Sequence, residues 1–460
     1  MGGSRKLGKF PKRLPATYER PPTRVKGAQS RRDLCVIPCL ESRSRSTVGH
    51  MIVEYADRVW RGESDDSIVD AGMEGKGVQT ITDGLGWWSG FGNVIAFETE
   101  GELLLFDTSS PFSAAQLHED VRRWSRAPLT TAVYSHGHID HVSGLGPFEE
   151  EGQRATVYAH KAVIDRFERY LLTNGYNAVI NQRQFQAPNL RWPTSYRHPD
   201  VTYTDDLTVR RGGLTLDLSH AKGETDDATI GYVPEHKLLL PGDLFIWVTP
   251  NCGNPQKVQR YPREWVHALH RMAAVDAEIM LPSHGAPVFG RDRIRTALLE
   301  TAQWLESLIT QTLDLLNAGA RLDEIMHAVK PPESLSDRPY LRARYDEPEF
   351  VVRNLWRLYG GWYDGNPAHL KPAPEAVLAR SVAELAGGAT ALADAALKAL
   401  SGGDERLAGH LAEMAALAAP GDAGVHRVRA EVFSARAASE QSLMAKGIFT
   451  WAASESRRRS

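Results

Sequence analysis

The sequence predicts a mixed α/β region followed by an all-helical one, on three observations. Short β-branched and apolar runs of strand length recur up to about residue 295, with helical stretches between them. From Arg291 the apolar spacing changes: Ile294, Leu298, Leu299, Ala302, Leu305 and Leu308 recur mostly three and four apart, as on one face of a helix. Residues 374–440 are alanine-rich and broken by Gly387-Gly388, Gly402-Gly403 and Pro420-Gly421, the pattern of paired antiparallel helices.

Taken in order, residues 1–50 form a basic leader, with 12 Lys+Arg against 3 Asp+Glu, and the rest of the chain carries 42 against 54. Rich in Arg, Pro, Ser and Gly and without an apolar period, the leader is expected to be disordered. Ser30-Arg-Arg-Asp-Leu-Cys-Val36 is faintly similar to a twin-arginine export signal. Its apolar run, Leu34 to Leu40, is short and holds Pro38, so a cytoplasmic location is expected instead. Met51 is a candidate natural start, with Met51-Ile-Val-Glu-Tyr-Ala-Asp-Arg-Val-Trp60 as a first strand. Hairpin strands follow at Phe91–Phe97 and Glu102–Asp107. Asp107, at a strand end, is a candidate either to orient a ligand histidine or to shape a turn. The division expected is a catalytic region over 51–295, a helical region over 296–445 and a tail over 446–460.

Composition narrows the function classes. At 460 residues and 42% hydrophobic, the chain has room for two or three packed domains. A net charge of −3 gives no footing for nucleic acid, and no apolar stretch reaches the ~18 residues that span a bilayer. The three cysteines, Cys35, Cys39 and Cys252, imply no disulfide framework.

Chemistry concentrates in Ser135-His-Gly-His-Ile-Asp-His141. Three imidazoles and a carboxylate fall within six residues of a chain that has 16 histidines. The preceding Leu129–Ser135 reads as a buried strand that delivers the motif into a loop. His136 and His138, two apart, project to one side and suit one metal; Asp140 and His141 turn toward a second. Further ligands are needed, and three strand ends offer them. Asp243 closes Leu238-Leu-Leu-Pro-Gly-Asp243, His284 follows Met280-Leu-Pro-Ser283, and Leu214–Thr225 offers either Glu224 or His220.

This order of motifs resembles the metallo-β-lactamase superfamily of dinuclear hydrolases. The resemblance implies an αββα sandwich, two mixed sheets between helical layers, ahead of the all-α region. It implies His136, His138, Asp140, His141, Glu224, Asp243 and His284 as ligands of two divalent ions, zinc by their histidine content, with manganese or iron also suited. Asp140 and Asp243 are then the candidate catalytic carboxylates. Glu224 stands where the superfamily commonly has histidine, and that replacement resembles the alkyl sulfatase branch. One position departs from it, because the branch commonly bridges its metals with glutamate and this chain has Asp243. A second similarity, at Tyr359-Gly-Gly-Trp-Tyr-Asp-Gly-Asn-Pro-Ala-His-Leu370 and onward, is to the alkyl sulfatase dimerisation domain, which implies a homodimer.

The implied reaction is hydrolysis of an alkyl sulfate ester by metal-activated water. Two divalent ions against three carboxylates leave the centre about one unit positive, so a substrate anion needs further cations. Lys257 and Arg260 are the first candidates to bind it, with Asn181, Arg183 and Asn177 behind them. Trp87, Trp88, Phe91, Phe245 and Trp247 are candidates for an apolar channel or for core. Rival readings are a hydrolase of the same fold acting on a thioester, lactone or phosphoester, and a dimeric scaffold without catalysis.

Overall fold

In a computed structural model of the chain, the structure describes residues 49–64, 73, 75–152 and 154–460. The basic leader, including Cys35 and Cys39, therefore lies outside the described residues apart from its last two positions.

The first described element is a helix, α1 (His50–Trp60), where a strand was expected. Ile52, Tyr55, Ala56 and Val59 are buried while Met51, Glu54 and Arg58 are exposed. That spacing is a helical stripe; the alternation of a strand would have set Ile52 beside Glu54 and Arg58 on one face and Asp57 among Met51, Val53, Tyr55 and Val59 on the other.

Strands β1 (Gln79–Thr82), β2 (Leu85–Trp88), β3 (Val94–Glu98) and β4 (Leu103–Phe106) pair antiparallel in sequence order. Helix α2 (Ala114–Trp124) crosses to β5 (Leu129–Val133), and the short helices α3 (Ile139–Val142) and α4 (Gly146–Glu149) lead to β6 (Thr156–His160). After α5 (Ala162–Leu172) and α6 (Asn174–Phe185) comes β7 (Val201–Tyr203), and β4 to β7 pair in parallel. The second sheet holds β8 (Asp206–Arg211), β9 (Leu214–Ala221), β10 (Ala228–Val233) and β11 (Leu238–Leu240). It is completed, after α7 (Pro262–Ala273), by β12 (Ile279–Met280) and β13 (Val288–Phe289).

Two-residue alternation explains why the strands of the first sheet read as unbroken apolar runs. Trp87, Ile95, Phe97, Leu104, Phe106 and Val133 face the second sheet, where Val209, Leu216, Leu218, Ile230 and Leu239 meet them. Their neighbours Trp88, Val94, Ala96, Leu103, Leu105 and Ala132 face outward, under Leu117 and Val121 of α2 and Val163 and Phe167 of α5. Helices α7 and α8 (Arg291–Asn317) contribute Trp265, Leu269, Ile294, Leu298 and Leu305 to the core that includes the second sheet. The architecture is the αββα sandwich.

Helix α8 runs through residue 295, so the expected boundary there falls inside one continuous element whose first turns belong to the sandwich core. After it come α9 (Leu322–Ala328), α10 (Pro348–Gly360), α11 (Pro367–Leu370), α12 (Glu375–Ala386), α13 (Ala389–Ser401), α14 (Glu405–Ala418) and α15 (Ala423–Ser439). Alanines 383, 393, 396, 408, 412 and 415 form the seams of α12 to α14. The stretch expected as a tail is instead the helix α16 (Leu443–Arg457), which buries Met444, Ala445, Gly447 and Ala453 and packs on α15 and α6. Among the described residues no single helix is long and apolar enough to cross a membrane.

As a helix, α1 puts Ile52 in the core and Glu54 at the surface. Ile52→Ala should lower unfolding free energy by about 2–5 kcal/mol in a denaturant titration, while Glu54→Ala should stay within about 0.5 kcal/mol. Equal effects at the two positions would contradict it.

Candidate metal centre

The seven residues read as ligands converge at one end of the sandwich. His136 and His138 leave the end of β5, and Asp140 and His141 sit on α3. Glu224 occupies the turn between β9 and β10, while Asp243 and His284 follow β11 and β12. His136 Nε2 and His138 Nδ1 are 2.8 Å apart, and His138 Nδ1 is 3.8 Å from Glu224 Oε1. In the neighbouring group His141 Nε2 and His284 Nε2 each lie 3.5 Å from Asp140 Oδ2. Asp243 faces both groups: Oδ1 is 3.6 Å from His141 Nε2, and Oδ2 is 3.6 Å from His136 Nε2 and 3.3 Å from His284 Nε2.

These spacings fit divalent metal ions. Four atoms held tetrahedrally at about 2.0–2.1 Å from an ion stand about 3.3–3.4 Å from one another. Two of these atoms, His141 Nε2 and Asp243 Oδ1, are buried and have no hydrogen-bond partner among the described residues. Atoms of that kind suit ligation. Clusters His138-Glu224-Asp243 and Asp140-His141-His284 gather ligand atoms closely enough to hold one ion each.

His220 stands elsewhere. Its ring stacks on His160 with centroids 3.7 Å apart, and its Nε2 donates to the backbone carbonyl of Asp226, 2.8 Å away. Of the two residues that the third motif offered, only Glu224 faces the other candidate ligands.

Buried supports fix these side chains. Asp107, in a left-handed conformation with φ of 61°, accepts from Ser135 N at 2.7 Å through Oδ1. Its Oδ2 accepts from Ser135 Oγ at 2.8 Å, Ser283 Oγ at 2.7 Å and His141 Nδ1 at 2.9 Å. Ser135 Oγ in turn stands 3.0 Å from His136 Nδ1 and can accept its proton. Both imidazoles thereby present an Nε2 lone pair to the centre. Asp227 accepts from Gly137 N at 3.0 Å and from Arg166 Nε at 2.7 Å, anchoring the loop between His136 and His138. Asn93 Nδ2 donates to the carbonyls of Pro282 and Gly285 on either side of His284. Gly92 presses so closely on Asp140 that a Cβ there would lie 2.0 Å from the Asp140 carbonyl oxygen.

Electrostatics follow from packing carboxylates and imidazoles out of water. Burial, with His141 nearby, lowers His136 to about 4, and burial also carries His138 down. Burial would lower His141 and His284 too, but the surrounding carboxylates outweigh it and hold both above the ordinary imidazole range. Burial likewise works to raise Asp140, yet His141 and His284 keep it at about 2. Glu224 is pushed up to about 8 by burial, against the pull of Arg260. The cluster calls for positive charge.

A cavity of about 320 Å³ opens on this centre. Asn181, Lys257 and Arg260 line it, as do Phe91 and, unforeseen from the sequence, Phe112, Phe185, Leu190, Trp192, Ile246, Asn251, Asn254 and Tyr345. Arg260 is not the free fork expected of it. Its Nη1 donates to the Glu224 carbonyl and its Nη2 lies 3.2 Å from Glu224 Oε1, leaving Nε without a partner. Arg183 points away to Gln256 Oε1, 3.0 Å off, and Asn177 bonds back to Thr173, so neither reaches the cavity. Of the aromatic candidates only Phe91 lines it. Trp87, Phe245 and Trp247 belong to the inner core and Trp88 to the outer one, since successive residues of β2 face opposite sides of the sheet.

Residues 87–284 match the metallo-beta-lactamase superfamily and residues 321–459 match the alkyl sulfatase dimerisation family. The chain thus pairs a metallo-β-lactamase superfamily region with an alkyl sulfatase dimerisation region. It is 28% identical over 336 residues to a linear primary-alkylsulfatase of Pseudomonas sp., which takes in 68% of this chain and 64% of that protein. Similarity to an (R)-specific secondary-alkylsulfatase of Pseudomonas sp. is 25% over 371 residues, 74% of this chain and 56% of the relative. An alkyl/aryl-sulfatase of Saccharomyces cerevisiae is 25% identical over 348 residues, 68% of this chain and 53% of the relative. The chain thus spans between about half and two thirds of the length of these curated relatives. The solved structure of a stereoselective inverting sec-alkylsulfatase from Pseudomonas sp. superposes with a TM-score of 0.77 at 22% identity, covering 87% of this chain and 70% of that one. That likeness shows the chain's fold.

Asp107→Asn places an amide donor among groups that already donate to it. Metal affinity should fall about 10–100-fold, measured by competition with a chelator and elemental analysis. Unchanged affinity would show that the hydrogen bonds of Asp107 do not orient the ligands.

Proposed function

We propose that this protein hydrolyses alkyl sulfate esters to alcohol and sulfate, with His136, His138, Glu224 and Asp243 holding one divalent ion and Asp140, His141, His284 and Asp243 a second. The observation that carries this reading is one cavity in which a cation-demanding ligand cluster, buried anion donors and an apolar lining meet. Zinc is the ion proposed, on the strength of four histidines among the seven ligands. When bound, the ions supply Lewis-acid charge and lower the pKa of water toward neutrality.

The chain's own groups account for binding and orientation. Asn254 and Arg260 line the cavity, and their Nδ2 and Nε are buried without a hydrogen-bond partner among the described residues, which leaves both donors unused by the protein. Lys257 adds a charge, its Nζ 3.4 Å from Asn181 Oδ1 and 5.6 Å from the Trp192 ring centroid. Asn251 donates to Glu224 Oε1 and Arg260 neutralises the same carboxylate, which together fix its orientation. Phe91, Phe112, Phe185, Leu190 and Ile246 offer apolar surface to an alkyl chain. A homodimer is part of the proposal. The dimerisation-family match supports it, as do the exposed Trp362, Leu378 and Leu385 within that region.

Metal-loaded protein incubated with a panel of alkyl and aryl sulfates should release inorganic sulfate. If it released none and cleaved a thioester, lactone or phosphoester instead, the sulfatase reading would fail.

Lys257 makes that activity depend on pH. Burial, and then repulsion from Arg260, lowers its ammonium from the usual lysine range to about 8. The charge is present below that value and lost as pH rises through it, so KM for an alkyl sulfate should climb above about pH 8. Lys257→Arg, whose charge persists, should flatten the climb. A wild-type KM that stays level through this range would remove Lys257 from substrate binding.

A further inference from the structure

Helix α6 gives the cavity two side chains, Asn181 and Phe185, and its position depends on the far end of the chain. Gly447, on the second turn of α16, lies against the backbone of α6. A Cβ at 447 would come within 2.4 Å of the Gln184 carbonyl oxygen and 2.9 Å of its Cα, approaches that only glycine permits. Glycine is otherwise among the poorest residues for a helix interior, so its presence here answers to that contact. The Gly447 carbonyl also accepts from Gln186 Nε2 at 2.7 Å.

A second tie runs through the loop before α10. Gln184 Nε2 donates to the hydroxyl of Tyr345 at 2.8 Å, and Tyr345 lines the cavity. The start of α16 holds that loop in place: Ser442 Oγ donates to the Tyr345 carbonyl at 2.9 Å and Leu443 N to the Arg344 carbonyl at 2.8 Å. From α6 the contacts continue to the centre. The Phe185 ring meets Phe91 edge-on at 5.8 Å, and Phe91 meets the ring of His284 edge-on at 5.4 Å.

We infer that α16 sets the apolar wall that receives the substrate's alkyl chain, and that Gly447 is a specificity-determining position acting through α6 and Phe185. This rests on the alkyl sulfate reading and extends it: the helical region builds part of the site as well as any subunit contact. Phe185 touches the chain, and Gly447 is a positioning residue.

The test is calorimetric binding of two unreactive sulfonates, dodecyl sulfonate and methanesulfonate, to the metal-loaded full chain. Gly447→Ala should weaken dodecyl sulfonate about five- to tenfold, the loss of one or two methylenes of buried contact. Methanesulfonate should stay within about twofold, and metal content should be unchanged, because Arg260, Asn254 and the ligands sit on other elements and only Lys257, through Asn181, touches α6. Phe185→Ala should reproduce the same split without touching α16. Should Gly447→Ala fail to fold, Gln186→Ala leaves the α16 backbone intact, removes the donor to the Gly447 and Arg183 carbonyls, and should shift dodecyl sulfonate about two- to threefold in the same direction. Equal losses for both sulfonates, or no loss for either, would overturn the inference while leaving the sulfatase reading intact. Wild-type protein that bound neither sulfonate would overturn both.

Discussion

Everything at the centre hangs on one buried carboxylate. Asp107 collects three hydroxyl or imidazole donors and a backbone N–H, and through them ties the end of β4 to the ends of β5 and β12. Those three strand ends belong to two different sheets, so the same residue that orients His141 and, through Ser135, His136 also fixes how the sheets meet at the site. A charge so fully enclosed is costly unless every lone pair is met, and here four donors meet it. The left-handed backbone at Asp107 is the local strain accepted for that arrangement.

Around this anchor the protein balances charge in pairs. Asp227 is matched by Arg166 and Glu224 by Arg260, each guanidinium buried beside its carboxylate. Such pairs add little net stability, but they fix geometry, because moving either partner leaves an unmatched charge inside the protein. Among the described residues Asp140 and Asp243 form no ion pair with an arginine and are met by the ligand imidazoles. The unbalanced negative charge is thus concentrated where divalent ions fit best.

Much of this was legible in the sequence. The strand-then-motif pattern of Leu129–His141, the turns holding Asp243 and His284 and the switch to helical spacing at Arg291 each state a local preference that the fold leaves intact. The tripeptide Ser-His-Gly occurs at both Ser135 and Ser283, and both serines donate to Asp107. That repeat was a visible sign of a shared support. What the sequence could not disclose depends on long-range approach. The choice of Glu224 over His220 turns on which way residues leave the end of β9. The pairing of Arg260 with Glu224 joins residues 36 apart in sequence, which no local pattern discloses. The strand expected at Met51–Trp60 failed because β-branched and aromatic residues there also satisfy a helical stripe.

The helical region is more than an appendage to the sandwich, since α16 reaches back to α6 and to the loop of Tyr345. The proposed chemistry stands on the ligand set. Anomalous diffraction from crystals of the metal-loaded protein measures it directly. The expected result is two peaks about 3.5–4 Å apart, with Asp243 between them, Glu224 on the ion of His136 and His138, and His220 stacked on His160 and binding neither. A single ion, or His220 ligating in place of Glu224, would contradict it.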